Sequence, residues 1–265
     1  MKVLIVCVNY NSYTELEAYL KSIDRAAGLC EQVSVRVVVA DNWTKPQPLG
    51  VALPHVRLEV RPLGNLGYFG AAAAVLNEDA TVPACDYVAI SNVDLVMQDD
   101  FFQKLAVCKF AENVGWVAPC LYLTASGRDR NPLRMHRPSK RRLQWLCLMF
   151  RFPILQWLYL NTIFKRKKYV HDWTPRNVWE GNGGFILLTR RYFEHYPRLD
   201  YPVFLYGEEL YMAERMERAG LAVYYYPELR LNDAGSVSTS KMAPKTKSLL
   251  SVKALQYAIH RNYLT

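Results

Sequence analysis

Short apolar runs alternate with segments of helical spacing along the first 120 residues. The runs are rich in β-branched residues, which predicts buried strands at 2–8, 33–40, 55–60, 87–90 and 116–121. Helices are predicted at 13–27, at 101–110 and in the alanine-rich part of 64–77, which begins with a glycine-rich turn. This alternation predicts an α/β fold with an open, Rossmann-like, mostly parallel central sheet flanked by helices.

The second half of the chain has a less regular pattern. A basic segment comes first, followed by a glycine-rich apolar stretch at 181–189 and an acidic helix pattern at 208–219. A strand pattern covers 223–227, and a last helix pattern covers 249–263. No internal repeat or low-complexity linker interrupts this order, so we expect one continuous domain.

Charge is concentrated in one segment of the chain. The sequence has 265 residues, with 33 Lys and Arg against 24 Asp and Glu, for a formal net charge of +9. Twelve of the basic residues and a single acid, Asp129, lie within 128–171, so this segment carries +11 and the remainder −2. With 51% hydrophobic and 22% charged residues, the composition excludes a disordered, collagen-like or disulfide-stapled chain.

Cysteine usage bears on the cellular compartment. The six cysteines show no CxxC spacing, and several lie inside apolar runs. The sequence opens on an apolar strand pattern rather than on a signal peptide. We therefore expect reduced, mostly structural thiols in a cytoplasmic protein.

Polar residues stand at the ends of three predicted strands: Asn9, Asp41 and Asp94. Because ligands of open α/β sheets collect at the carboxyl ends of the strands, we expect a common polar rim there. The Asp94 carboxylate suits Mg²⁺ or Mn²⁺, and Asp41 with Asn42 suits a ribose or a base edge. Two structural alternatives stay open: Asp94 caps a helix that begins near Asp99, and Asp41 with Asn42 forms a simple turn.

Two further segments combine possible chemistry with an ordinary structural explanation. The glycine-rich segment 64–70 lets backbone approach a ligand, but its GxxGxxG spacing is not the dinucleotide fingerprint and a plain turn explains it equally well. Glu208 and Glu209 begin a helix pattern, where the helix dipole favours acidic residues. Adjacent helical side chains diverge by about 100°, so we expect at most one of the two to act as a general base, while the other holds local structure.

The order of these motifs along the chain resembles that of the family 2 glycosyltransferases. The matching motifs are Val-Asn-Tyr-Asn-Ser at 8–12, Val-Val-Ala-Asp-Asn at 38–42, Asn-Leu-Gly-Tyr-Phe-Gly-Ala-Ala at 65–72, Ser-Asn-Val-Asp at 91–94, Gly-Asn-Gly-Gly-Phe-Ile-Leu-Leu-Thr-Arg-Arg-Tyr-Phe at 181–193, Phe-Leu-Tyr-Gly-Glu-Glu-Leu at 204–210, Tyr-Tyr-Pro-Glu at 225–228 and Arg-Asn at 261–262. Within this family the chain looks most like the rhamnosyltransferases and related enzymes of bacterial surface polysaccharides. The resemblance covers nearly the whole chain apart from the basic insert.

This resemblance implies a GT-A fold, inversion at the anomeric carbon, a UDP- or dTDP-linked hexose donor and a divalent metal, Mg²⁺ or Mn²⁺. It implies Glu209 as the catalytic base. The implied donor-binding residues are Asn9, Asn11, Asp41, Asn65, Gly67, Tyr68, Asn92 and Asp94, with Asp94 as the metal ligand. The implied acceptor-binding residues are Trp179, Gly183, Gly184 and Glu208. The implied organisation is a nucleotide-sugar-binding half at 1–125, a basic amphipathic insert at 126–172 and an acceptor-binding and catalytic half at 173–265.

Three positions depart from the family's pattern. Glu209 stands where Asp is usual, which lengthens the base by one methylene. Asn92 replaces an acid of the metal motif, which weakens metal binding until a diphosphate arrives. Asp233 stands where a His is usual, which makes it a second candidate ligand for the metal or the diphosphate.

The basic insert has an apolar centre at 143–164 that is long enough to suggest a membrane span. Arg151 and Pro153 near its middle argue against a span. We therefore expect two short helices in the interface of an anionic bilayer, flanked by the basic clusters 140–142 and 165–168. The alternatives are a helical subdomain packed on the core and a contact with a protein partner or a second copy of the chain.

The leading functional hypothesis is an inverting, metal-dependent hexosyltransferase that acts on a saccharide acceptor, with lipid-linked saccharides favoured, at the inner face of the cell membrane. A non-catalytic, membrane-associated scaffold of the same fold is the alternative. A nucleic-acid-binding protein is disfavoured, because the insert combines its charge with bulky apolar residues rather than with a reading motif.

Overall fold

The computed structural model describes residues 1–158, 161–162, 172–233 and 242–263. Its strands are β1 (Lys2–Asn9), β2 (Ser34–Asp41), β3 (Val56–Pro62), β4 (Tyr87–Ser91), β5 (Leu95–Met97), β6 (Val114–Leu123), β7 (Arg128–Asp129), β8 (Arg176–Val178), β9 (Phe185–Thr189) and β10 (Ala222–Asp233). Its α-helices are α1 (Tyr13–Gly28), α2 (Tyr68–Leu76), α3 (Phe101–Val107), α4 (Lys140–Arg151), α5 (Pro153–Leu158), α6 (Arg190–His195), α7 (Glu208–Arg218) and α8 (Pro244–Tyr263). The predicted strands and helices occur in the predicted order, whereas β5, β7, β8, β9 and α6 were not predicted.

These strands form one mixed sheet in the order β3-β2-β1-β4-β9-β6-β10-β5, with β7 paired to β6 and β8 paired to β10. Parallel pairing joins β3, β2, β1 and β4 on one side and β6 with β10 on the other. Strand β9 runs antiparallel between β4 and β6, so the two parallel groups point in the same direction. The predicted α/β fold is therefore confirmed, and the carboxyl ends of the parallel strands meet at one edge.

Both faces of the sheet are buried, which explains the uninterrupted apolar runs in the sequence. In β1, Leu4 and Val6 belong to one core layer and Val3 and Ile5 to the other, because successive side chains of a strand point to opposite faces. Helices α2 and α7 cover the first face, and α1 and α3 cover the second. All six cysteines are free thiols.

Two element boundaries differ from the sequence prediction for identifiable reasons. Strand β10 continues past Pro227 to Asp233, and its register against β6 shifts between Tyr226 and Arg230. Proline cannot donate a ladder hydrogen bond, so a bulge at this point lets the strand continue. Helix α3 ends at Val107 instead of Phe110, and the Phe110 ring packs instead against aromatic rings of β4 and β10.

The first helix of the basic insert packs on the protein. Leu143 and Leu146 on α4 are buried against Leu210 of α7 and against Leu255 and Ala258 of α8. The hydroxyl of Ser248 also donates a hydrogen bond from α8 to the carbonyl of Phe150. For α4, the structure therefore agrees with the alternative in which the insert is a helical subdomain that packs on the core.

Three arginines that the sequence assigned to the insert pair with acids of the second half. Arg130 pairs with Asp233, Arg134 with Glu180, and Arg137 with Glu214. The three carboxylates are almost inaccessible to solvent, with side-chain exposures of 2%, 1% and 5%. The segment of charge +11 is therefore not a single exposed basic surface, because three of its arginines neutralise buried acids.

The outer face of the insert stays exposed and apolar. Leu148, Phe152, Ile154 and Trp157 have exposures of 54%, 49%, 75% and 63%. The basic cluster predicted at 165–168 lies outside the described residues. Among the residues that the structure describes, no helix has both the length and the apolar character needed to cross a membrane.

Replacement of Leu143 with Ala tests the docking of α4. Leu143 is fully buried, so we expect the free energy of unfolding to fall by about 2–5 kcal/mol. Leu148→Ala, on the exposed face of the same helix, is the matched control and should change it by less than about 0.5 kcal/mol. Urea unfolding of the two variants measures both values, and equal small effects would show that α4 is not docked.

Candidate active site

A cavity of about 320 Å³ lies at the carboxyl edge of the sheet, where β1, β2 and β4 end. It is lined by Val8, Tyr10, Asn42, Asn65, Gly67, Tyr68, Asn92, Val93, Asp94, Arg130, Asn182, Gly183, Gly184, Phe204, Leu205, Tyr206, Glu208, Glu209 and Met242. Ten of the residues singled out in the sequence thus meet in one place: Asn42, Asn65, Gly67, Tyr68, Asn92, Asp94, Gly183, Gly184, Glu208 and Glu209. The other five, Asn9, Asn11, Asp41, Trp179 and Asp233, do not line the cavity.

The start of α7 places two adjacent carboxylates at the cavity. The turn before it holds Tyr206 and Gly207 in the left-handed region, at φ 69° and 79°. Left-handed backbone is uncommon for tyrosine and marks a conformation that its surroundings enforce. Glu208 is buried, whereas Glu209 is partly accessible and its Oε1 accepts a hydrogen bond of 3.3 Å from the backbone N–H of Gly183.

Gly183 is required by the position of Glu209. A Cβ atom at residue 183 would lie 2.7 Å from Oε1 of Glu209, closer than real Cβ contacts. The carbonyl of Gly183 accepts a 2.8 Å hydrogen bond from the hydroxyl of Tyr68. Burial raises the pKa of Tyr68 well above its usual value, so this hydroxyl stays a donor. The loop before β9 is therefore held from both sides.

The surroundings of Glu208 and Glu209 affect their pKa values differently. Desolvation raises the pKa of Glu208 well above its ordinary value, and the neighbouring charge of Glu209 raises it further. Desolvation raises the pKa of Glu209 as well, but the charges of Arg134 and Arg130 and the N–H of Gly183 oppose this rise. Two carboxyls whose surroundings drive their pKa values apart can take different roles, and Glu209 is the better proton acceptor of the two.

A third acid, Glu180, is fully buried in the loop that precedes β9. Its carboxylate pairs with Arg134. Burial raises the pKa of Glu180 to about 7, although Arg134 acts in the opposite direction. The start of α7 and the loop before β9 therefore bring three acids close enough to affect one another's pKa, and the charges of Arg134 and Arg130 oppose the rise at Glu209.

Asn9 and Asp41 brace the rim and do not face the cavity. The Asn9 amide donates a 3.0 Å hydrogen bond to Asp41, whose carboxylate also accepts one of 2.9 Å from the hydroxyl of Tyr13. Both residues are buried, whereas Asn11 is exposed with φ 54°. Tyr10, which sequence reasoning missed, lines the cavity instead and packs edge-on against Trp43, with 5.0 Å between ring centroids.

Asn42 holds the glycine-rich turn that precedes α2. Its side chain accepts a 2.7 Å hydrogen bond from the N–H of Leu66 and donates one of 3.0 Å to the carbonyl of Gly67. Gly67 has φ 77°, and a Cβ there would meet the carbonyl oxygen of Phe204 at 1.9 Å. The glycine is thus fixed by close approach of backbone to backbone.

Asp94 lies on the cavity wall between β4 and β5, and α3 begins only at Phe101, with Asp100 at its N-cap. Asp94 is therefore not the cap of that helix. The backbone N–H of its neighbour Asn92 donates a 2.9 Å hydrogen bond to the carbonyl of Gly184. This bond ties the Asp94 loop to the loop before β9.

The residues around Asp94 could bind a metal ion only together with ligands from a substrate. No group of three or more His, Cys, Asp or Glu side chains suited to a metal occurs in the described part of the chain. Asp233, the second candidate ligand, is buried in its pair with Arg130. The cavity offers one carboxylate, from Asp94, and one amide, from Asn92. This set suits Mg²⁺ or Mn²⁺, because such ions are commonly bound by one or two carboxylates together with waters and phosphate oxygens of the substrate.

Trp179 and Arg130 lie in other surroundings than the sequence predicted. Trp179 does not line the cavity, and its indole N–H donates a 2.7 Å hydrogen bond to Glu217 on α7. Arg130 does line the cavity, although its place in a basic run suggested an exposed surface. The position of Asp233 at the end of an apolar strand could have indicated this role of Arg130, because a carboxylate that is buried there needs a cation nearby.

Comparisons with known proteins establish the fold. No protein-family model and no curated protein sequence matches the chain. Among solved structures, the chain is similar to GalNAc-T7 with UDP, GalNAc and Mn²⁺, with a TM-score of 0.54, 11% identity and coverage of 95% of this chain and 48% of that one. It is also similar to TarS of S. aureus, with a TM-score of 0.52, 8% identity and coverage of 99% and 44%. The chain thus spans about half the length of each and shares their GT-A fold.

Replacement of Glu180 with Gln should change how stability depends on pH. The pKa of Glu180 is raised from 4.5 to about 7 by folding, so the unfolded chain binds fewer protons and stability falls as pH rises through this window. Glutamine removes that loss. We expect the unfolding free energy of Glu180→Gln, relative to the parent protein, to increase by about 2 kcal/mol between pH 5 and pH 8.

Urea unfolding at both pH values provides the measurement. Glu31→Gln, at an exposed turn, is the control and should show the same difference from the parent at pH 5 and pH 8. An equally flat response in Glu180→Gln would contradict the raised pKa of Glu180.

Proposed function

We propose that the protein is an inverting, metal-dependent glycosyltransferase that moves a hexose from a UDP- or dTDP-linked donor to a hydroxyl of a saccharide acceptor. The observation that carries this proposal is the meeting of Asp94, Gly183 and Glu209 in one cavity of a GT-A fold. The ordered resemblance to bacterial rhamnosyltransferases supports a role in surface polysaccharide synthesis. UDP and Mn²⁺ in the similar GalNAc-T7 structure support the donor class and the metal.

Glu209 is the proposed base. It is partly accessible at the cavity, and two arginines and an N–H keep its pKa below that of Glu208. In this mechanism Glu209 accepts the proton of the acceptor hydroxyl as the oxygen attacks the anomeric carbon from the face opposite the leaving diphosphate. Glu208 is buried, and burial together with the charge of Glu209 raises its pKa, so Glu208 holds its proton more strongly than an exposed glutamate does.

The remaining residues divide between donor and acceptor. Asp94 and Asn92 would hold the metal, which supplies positive charge to the leaving diphosphate. Donor contacts are proposed for Tyr10, Asn65, Gly67 and Tyr68 at the cavity, with Asn9, Asn11 and Asp41 shaping its rim. Acceptor contacts are proposed for Gly183, Gly184 and Glu208, with Trp179 fixing this segment to α7 through Glu217.

The exposed face of the insert supports an acceptor that is linked to a lipid. Ile154 and Trp157 on α5 are largely exposed, and the basic residues 140–142 lie on the adjoining helix α4. Exposed apolar residues beside basic ones favour the interface of an anionic bilayer, where each nearby Lys or Arg contributes about 1 kcal/mol. We therefore place the protein peripherally at the inner face of the cell membrane.

The change Glu209→Gln tests the catalytic assignment. Glutamine keeps the shape of the side chain but cannot accept the proton, so we expect transfer to fall by about 10²–10⁴-fold. Thermal shifts with UDP-, dTDP- and GDP-sugars, each with Mg²⁺ or Mn²⁺, should identify a stabilising donor and show that it still binds the variant. Glu194→Gln, on the exposed surface of α6, is the matched control and should keep the parental turnover. Parental turnover in Glu209→Gln would contradict the assignment of Glu209 as the base.

Flotation with liposomes tests membrane docking. We expect the protein to float with vesicles that contain anionic lipid and less with neutral ones, because charge and apolar contact act together. Ile154→Asp should weaken flotation, whereas Val107→Asp, at an equally exposed apolar residue at the end of α3, should not. Absence of binding to either vesicle would remove the proposal.

A further inference from the structure

Arg130 lines the candidate active site but has no role in the reaction proposed above. Nη1 of its guanidinium donates a hydrogen bond to the carboxylate of Asp233, and in the described part of the chain this is the hydrogen bond that the guanidinium makes. The side chain of Asp233 is 2% exposed, whereas that of Arg130 is 30% exposed. The pair therefore joins a buried acid to a cation that reaches the cavity.

The residues on either side of Arg130 anchor its backbone. Asp129 is buried, and its carboxylate accepts a 2.7 Å hydrogen bond from the hydroxyl of Tyr225. Asn131 is buried as well, and its amide oxygen accepts a 2.7 Å hydrogen bond from the N–H of Asn182. Because both neighbours are fixed in the core, Arg130 presents its side chain to the cavity from a backbone that is held in place.

The register of the sheet brings this pair next to the loop that carries Asp94. Asp233 is the last residue of β10 and lies opposite Leu95, the first residue of β5. Asp94 immediately precedes Leu95 and lines the cavity together with Arg130. The guanidinium is therefore held beside the loop that holds the proposed metal ligand.

The cavity has an excess of acidic groups. Asp94, Glu208 and Glu209 contribute three carboxyl groups to its lining, and among the described lining residues Arg130 is the only one with a positive charge. The diphosphate of a nucleotide-sugar donor brings further negative charge into this enclosed space. An anion that leaves water is costly unless a cation or hydrogen-bond donors meet it, so Arg130 is the group of the chain that suits the diphosphate.

We propose that Arg130, oriented by Asp233, binds the diphosphate of the donor and stays bound to it as the leaving group. This inference rests on the proposed transfer from a nucleotide-sugar. The guanidinium of an arginine has five N–H donors in a planar fork that suits phosphate oxygens. One of the five is used by Asp233, and the others can donate to the diphosphate. Asp233 is then a positioning residue, since it acts on the diphosphate through Arg130.

The role of Arg130 in the transfer step follows from the movement of electrons. The acceptor oxygen forms its bond to the anomeric carbon, and the bond from that carbon to the diphosphate breaks. The electron pair of the broken bond stays on the diphosphate oxygen, and the acceptor proton goes to Glu209. Arg130 offsets the charge that grows on the diphosphate, which a fixed N–H donor does without reorganising.

Binding measurements test the proposal. Isothermal titration calorimetry is carried out with UDP, dTDP and inorganic pyrophosphate in EDTA, and with the two nucleotides also in Mg²⁺. We expect Arg130→Met to bind each probe that the parent binds about 10–100-fold more weakly, in EDTA as well as in Mg²⁺, because the guanidinium acts without a metal. Arg128→Met, at an exposed arginine of β7 that does not line the cavity, is the matched control and should bind like the parent.

A second variant and a second measurement guard against unfolding. Arg130→Met leaves Asp233 buried without this cation, so the double variant Arg130→Met, Asp233→Asn removes both charges and should show the same loss of affinity. In parental protein labelled with ¹⁵N at arginine, the Nε–H signal of Arg130 is identified by its absence in Arg130→Lys. We expect pyrophosphate to shift this signal in NMR spectra and to leave that of Arg128 unchanged.

The possible outcomes are distinct. Parental affinity in the double variant, an unmoved Arg130 signal, or a parent that binds none of the three probes would overturn the inference. Parental affinity in the double variant together with loss of transfer in Glu209→Gln would overturn this inference alone and leave the proposed function intact. Pyrophosphate binding that depends on Arg130, without binding of any nucleotide or nucleotide-sugar, would support the phosphate site and overturn the proposed donor.

Discussion

Three ion pairs to buried acids join one short segment to the elements that build the candidate active site. Arg130, Arg134 and Arg137 leave the sheet on one short segment and reach acids on β10, before β9 and on α7. Glu214 also pairs with Arg218, whereas loss of Arg134 would leave the carboxylate of Glu180 buried without its cation, at a cost of about 3–5 kcal/mol. This segment therefore cannot move independently of the cavity wall, and the elements that carry Glu209, Gly183 and Asp233 are fixed relative to one another.

The sheet determines where that cavity lies. The parallel strands β1, β2 and β4 end at one edge of the sheet. Strand β9 runs in the opposite direction, so the loop before it, which contains Gly183, lies at the same edge. Glu209 then enters from the start of α7 and rests against the backbone of Gly183. Distant parts of the sequence thereby share one site, and the burial that the sheet and helices impose gives its carboxyls different proton affinities.

Much of the fold could be predicted from the sequence, because buried parallel strands and amphipathic helices have distinct patterns. The candidate site was harder to predict, because side-chain direction alternates with each residue at the end of a strand. Asn9 and Asp41 end β1 and β2 and point into a buried hydrogen-bond network, whereas Tyr10 and Asn42, one residue later, line the cavity. The role of Arg130 depends on contact with a residue 103 positions away, which no local pattern encodes.

The bond between the N–H of Asn92 and the carbonyl of Gly184 joins the two walls of the cavity. One wall carries Asp94, and the other carries the glycines against which Glu209 rests. A shift of either wall is transmitted to the other through a backbone hydrogen bond between neighbouring strands. A ligand that displaces the Asp94 loop should therefore also displace the glycine loop on which Glu209 rests.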